Sequence, residues 1–209
     1  MTYTIQVIRD CRAIAVFHVL RAGLHSPSAS GSGIIISRLH AGQWSNASAI
    51  VFDLELPEDV DVADMVVVAN NQDDLDAISR QTQSPGKGLK IEPGPIPESD
   101  AYAARMRKAP GETTTNLFYA KSKGQLLQLD LKNLEIRAAD GENERFYGVP
   151  GVSVEEILSG QVKSPSGASA QLNSTLTALE QQNPSLSGLP KPGSCPGDRR
   201  IRAPAATSM

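Results

Sequence analysis

Three kinds of side chain in this sequence could do chemistry: nine carboxylates between positions 53 and 76, three histidines, and basic residues beside small-residue turns. The carboxylates (Asp53, Glu55, Glu58, Asp59, Asp61, Asp64, Asp73, Asp74 and Asp76) could hold a hard cation, but the alternating oxygen ligands and central glycine of a calcium loop are missing. His18 stands inside an apolar run, which predicts a buried or edge imidazole, while His25 and His40 lie in turn-like surroundings with no second metal ligand at a useful spacing. The loop Ser26 to Gly33 could offer backbone N–H groups to a phosphate. It lacks the Gly-Lys-Ser/Thr of a phosphate loop and a helix behind it, so a flexible turn is the better reading. No Gly-x-Ser-x-Gly elbow and no Ser/His/Asp order appears, and Cys11 and Cys195 form no metal-ligand spacing. The sequence therefore predicts a protein that is not an enzyme, with no cofactor and no metal.

The basic turn Ala120-Lys121-Ser122-Lys123-Gly124 runs into Leu127-Gln128-Leu129-Asp130-Leu131, whose alternation predicts a strand with one dry face. The rest of the chain supplies the sheet around it. Ala13 to Leu20, Ile34 to Ile36, Ser48 to Val51 and Met65 to Ala69 are rich in β-branched residues and read as strands, with the only tryptophan, Trp44, opening the third. Asn70 caps a helix expected over Gln72 to Ile78. Gln81 to Glu112 reads as a long irregular connection with one short strand near Leu89 to Ile91. Asp140-Gly141 marks a turn, Arg145-Phe146-Tyr147-Gly148 an aromatic anchor, and Ser153-Val154-Glu155-Glu156 a capping box ahead of a helix ending at Gly160.

A chain of 209 residues with 40% hydrophobic residues can bury a core. The expected architecture is α+β and β-rich: one domain over residues 1–163, with a strongly curved, barrel-like antiparallel sheet and a few short helices. Residues 164–209, dominated by Ser, Pro, Gly and Ala, are expected to be a largely disordered tail, because Leu172, Leu176 and Leu179 are too few to fold alone. The run Ala13 to Leu20 is interrupted by His18 and closed by Arg21, which argues against a secretory signal. A cytoplasmic location follows, and any membrane role would be peripheral. The net charge of −3 hides an asymmetry, with a basic first fifty residues ahead of the acidic stretch, and it disfavours nucleic acid as a partner.

Seven segments together carry a family resemblance. They are Ala13 to Gly23, Gly31 to Leu39, Gly42 to Ile50, Val62 to Asn70, Tyr119 to Gly124, Asn143 to Gly148 and Glu156 to Gly160. In this order, over roughly residues 5 to 162, the chain resembles the SYLF domain family, a lipid-binding, actin-associated module of fungal actin-patch regulators and their animal and bacterial relatives. The departures are specific. Carboxylates occupy Phe52 to Asp61 where relatives usually have a glycine-rich run, Ala29 replaces a basic residue, and the second glycine-rich segment shrinks to Gly86-Lys87-Gly88-Leu89-Lys90. The amphipathic helix that usually precedes the domain and the Src-homology module of some members are not found here, which points to a truncated or diverged member.

The resemblance implies a non-enzymatic peripheral module for acidic phospholipid head groups, phosphoinositides among them. It would serve actin-patch or endocytic membrane organisation at the plasma membrane or endosomes. Arg9, Arg12, Arg21, Arg38, Lys121, Lys123 and Arg145 are the candidate lipid ligands. The plainer reading of these cations is that they pair with the abundant carboxylates. The alternative function is an actin-cytoskeleton adaptor that binds actin or actin-assembly proteins through its acidic segment and tail, without touching lipid.

Overall fold

The computed structural model describes residues 8–9, 11–21, 23, 26–40, 42–70, 72, 75–76, 91–94, 116–127, 129, 135–165 and 167–181. Their frame is one sheet of eight strands in the order β5-β6-β4-β1-β2-β3-β8, with β7 paired to β6. The strands are β1 (Ala13–Arg21), β2 (Ser28–Ser37), β3 (Ser48–Glu55), β4 (Val62–Ala69), β5 (Ile91–Pro93), β6 (Asn116–Ser122), β7 (Gln125–Leu127) and β8 (Glu135–Ala138). The β-rich α+β class expected from the sequence is the observed one. Two details differ: β5 runs parallel to β6, and the described strands do not close into a barrel.

Alternation decides which side chains meet. On β1, Ala13, Ala15, Phe17 and Val19 face the main core, joined there by Ile35 of β2, Phe52 of β3 and Met65 of β4. The T-shaped contact of Phe17 and Phe52, with ring centroids 4.3 Å apart, sits at its centre. Of the segment read as a flexible turn, Ser26 to Gly33, the part from Ser28 on is instead the first half of β2. Its glycines face inward, and the absence of Cβ atoms at Gly31 and Gly33 lets the Phe52 and Phe17 rings lie against the backbone. Composition pointed to a turn, and packing made a strand.

Three helices follow: α1 (Asp140–Tyr147), α2 (Val154–Leu158) and α3 (Ala168–Gln181). α2 begins at the predicted capping box. The Ser153 hydroxyl accepts from the Glu156 N–H at 3.1 Å, and the Glu156 carboxylate accepts from the Ser153 N–H at 2.9 Å. The second of these, with a donation from the Ser153 hydroxyl to the same carboxylate at 3.0 Å, holds the Glu156 carboxyl below its usual range. α1 occupies the stretch read as a turn plus an anchor. Asn143 on it accepts from the Ala49 N–H at 2.7 Å and donates to Ser48 Oγ at 3.1 Å, which extends the pairing of the β3 edge past the end of β8.

The reading of 164–209 as largely disordered fails for α3. Leu172, Leu176 and Leu179 pack on Ile14, Ile36, Trp44, Val68 and Leu117, a second apolar cluster on the outer face of the sheet. Three leucines do not fold alone, but they fold against a ready apolar surface. The strand expected over Leu127 to Leu131 is described only as β7, which ends at Leu127; Leu129 is buried, and 128 and 130–134 lie outside the described residues. Most of the helix expected over 72–78, the segment Gly86 to Lys90, His25, and residues 182–209 also lie outside them. Among the described residues, no helix is long and apolar enough to cross a membrane.

Candidate interaction surface

The outer face of the sheet is covered by α3 at one end and open at the other. Register places its side chains in rows across the strands. Val66, Val16 and Ile34 form one row, Lys121, Asp64, His18 and Ser32 the next, and Val62, Leu20 and Ser30 the third. Leu20, Val16 and Val62 are 53%, 44% and 40% exposed, high for large apolar side chains on a central strand pair. His18, expected to be a buried or edge residue with a satisfied nitrogen, is exposed on the face of a central strand, with Nδ1 2.8 Å from Asp64 Oδ1. Water screens that pair, so its contribution to stability is about 1 kcal/mol or less.

Beyond Leu20 and Val62, Glu55 at the end of β3 and Glu58, Asp59 and Asp61 of the β3–β4 connection are all exposed, around the buried anchors Leu56 and Val60. An acidic rim therefore adjoins an apolar patch. Leu56 N–H donates to the Pro27 carbonyl at 2.8 Å and Val60 N–H to that of Pro57 at 3.0 Å, which gives the loop a defined shape.

The seven cations assigned to lipid do not gather in one place. Arg21 is the most enclosed, its side chain 7% exposed. Its guanidinium donates to the carbonyls of Ser26, Pro57 and Val60 and to Asp61, and so holds the acidic loop to the end of β1. Arg38 donates to the carbonyls of Ile8 at 2.8 Å and Cys11 at 3.2 Å and to Glu180 Oε1 at 2.7 Å, and it stacks 4.3 Å over the Trp44 ring. Arg9 caps the last turn of α3 through the Glu180 carbonyl. Arg145 pairs with Glu142 one helical turn away.

Three cations remain on open surface. Arg12 lies just before β1, while Lys121 near the end of β6 is level with His18, six residues further along β1 or roughly 20 Å, and Lys123 lies beyond it in the turn. Lys121 stands beside Asp64 in register. Lys123 and Gly124 have φ of 47° and 84°, the signature of a type I′ hairpin turn, with Leu126 56% exposed beside them.

Burial pushes the Cys11 thiol up to about 12, so it stays protonated and unreactive at neutral pH. Among the described residues no group of three or more His, Cys, Asp and Glu side chains could hold a metal ion. Sequence reasoning missed Glu180, Trp44 and the open apolar row. Only Trp44 and Arg38, six residues apart around a glycine turn, left a local signal of an aromatic meeting a cation.

A family model described as "Ysc84: Las17-binding protein actin regulator" matches residues 59–179. Among curated proteins, the chain is 30% identical over 166 residues to Protein YSC84 of Saccharomyces cerevisiae, covering 78% of this chain and 35% of that protein. It is 29% identical over 163 residues to LAS seventeen-binding protein 3 of the same yeast, covering 76% and 35%. With the SH3 domain-containing YSC84-like protein 1 of Xenopus laevis it shares 27% over 168 residues, covering 78% and 48%. The chain thus spans about a third to a half of the length of these relatives.

Proposed function

Because the chain belongs to the Ysc84 (SYLF) family, we propose that it is a non-enzymatic adaptor in actin regulation that binds a basic segment of an actin-assembly protein. The partner class is the one named in its yeast relatives, LAS seventeen. One observation carries this reading. The exposed acids Glu55, Glu58 and Asp59 border the open apolar side chains Leu20 and Val62, whereas Arg9, Arg21, Arg38 and Arg145 are engaged within the fold. Acidic rim and apolar centre complement a partner of opposite charge with an apolar anchor.

The test is a pull-down and titration of the full chain with a Las17-type protein and with actin filaments. Charge reversal at the loop, Glu58→Lys with Asp59→Lys, is expected to weaken binding at least about fivefold, mainly through the association rate, with the effect shrinking as salt is raised. Unchanged binding by a folded double variant would sink the loop as the interface.

A second reading, acidic phospholipid, rests on the β6–β7 hairpin, where Lys121 and Lys123 flank a tight turn beside exposed Leu126. Two cations near an anionic leaflet contribute only about 2 kcal/mol, so this attachment would be weak and peripheral, at the plasma membrane or endosomes. Sedimentation with phosphoinositide vesicles, run alongside the protein titration, separates the two readings. Dependence on Lys121 and Lys123 would support lipid, and dependence on Glu58 and Asp59 would support the protein partner.

A further inference from the structure

α3 is a poor helix on a good seat. Its central residues include Asn173, Ser174, Thr175 and Thr177, and it has no acid in its first turn and no base in its last. It docks through Leu172, Leu176 and Leu179, and through Glu180, whose carboxylate accepts from Arg38 at 2.7 Å and from Trp44 Nε1 at 3.1 Å. Asn173 is carried into the same contact with its Oδ1 buried and unpartnered, while its Nδ2 reaches the Trp44 carbonyl only at 3.4 Å. The seat is also larger than its cover. The apolar face under α3 continues into Val16 and Ile34, 44% and 36% exposed, beside half-buried Val66.

We propose that α3 is a removable cover over a helix-binding groove. The groove accepts an amphipathic helix of a protein partner that carries apolar residues at positions i, i+4 and i+7, followed directly by a carboxylate. That is the spacing of Leu172, Leu176, Leu179 and Glu180. The incoming carboxylate takes the place of Glu180 between the Arg38 guanidinium and the Trp44 indole N–H. Apolar side chains longer than those of α3 would reach Val16 and Ile34, so a partner helix can bury surface that α3 leaves wet. An apolar residue where α3 has Asn173 would remove the unpartnered amide oxygen. This groove lies at the opposite end of β1 and β4 from the acidic loop, so two partners could be held at once.

The experiment uses the full chain and, as probe, a synthetic peptide of the sequence Ala168–Gln181 carrying Asn173→Leu. Trp44 is the only tryptophan, so its emission reports the groove directly. The peptide is expected to bind the Leu176→Ser chain about tenfold more tightly than the unaltered chain, and a chain carrying Asn173→Leu about tenfold more weakly. Equal affinity for all three overturns the proposal. Hydrogen exchange of the unaltered chain does not depend on those variants folding: α3 amides should exchange well before those of β1 and β4, and exchange only on global unfolding would overturn it. A concentration-dependent dimer formed by trading α3 between copies would overturn the heterologous partner in favour of a second copy.

Discussion

Gly33→Ala is expected to destabilise the protein by about 3 kcal/mol, a large share of the 5–15 kcal/mol that a domain of this kind possesses. A Cβ built at Gly33 would lie 2.2 Å from the Val16 carbonyl oxygen and 2.8 Å from Cδ1 of Phe17. The first of these is backbone of a central strand, hydrogen-bonded on both sides by β2 and β4, so it cannot step aside without breaking the ladder. Gly31 is held the same way, with 2.2 Å to the His18 carbonyl and 2.9 Å to the Phe52 ring. Urea unfolding followed by circular dichroism measures the loss. Gly141→Ala is the control of opposite sign: nothing lies within 4 Å of its added methyl, and it sits inside helix α1, where alanine is favoured by up to about 1 kcal/mol. A Gly33→Ala chain as stable as its parent would mean that β2 does not approach β1 this closely.

Arg38→Ala has the next largest expected effect, a loss of about 3 kcal/mol accompanied by release of α3. The side chains of Arg38 and Glu180 are 16% and 19% exposed, so deleting the guanidinium leaves a carboxylate largely shielded from water without its counter-ion. The carbonyls of Ile8 and Cys11 lose a donor at the same time, and the Trp44 ring loses the cation over its face. Lysine would not replace it, because a point charge cannot reach two carbonyls, a carboxylate and a ring together. Trp44 emission should shift to the red as α3 leaves, at denaturant concentrations where the sheet is still folded. Glu180→Gln should cost clearly less, since an amide oxygen still accepts from both Arg38 and Trp44. If Arg38→Ala and Glu180→Gln behave alike, the buried-charge argument is wrong.

These two sites show where legibility ended. β1 and β4 were readable because their apolar residues come in long β-branched runs, and α2 because Ser153 and Glu156 satisfy each other's backbone within one turn. The first half of β2 was not, although Ile34 to Ile36 were, since Gly31 and Gly33 have poor strand propensity and are there for rings supplied by other strands. α3 was not, since its leucines have no value until Ile14, Ile36, Val68 and Leu117 are assembled beneath them. The candidate site was half legible. The acidic stretch stood out in the sequence, but the seven cations were grouped by charge alone, and charge does not say which guanidinium will find a carbonyl.

Taken alone, the sequence carried the family resemblance in its seven segments, and its local chemistry determined the β-rich class and which residues of each strand share a face, because side-chain alternation and capping act over a few neighbouring positions. Tertiary structure decided which face is covered, which glycines are indispensable and which cations stay in water. Those outcomes depend on groups such as Arg38 and Glu180, or Arg21 and Pro57, that lie far apart along the backbone and meet only when the sheet closes the distance between them.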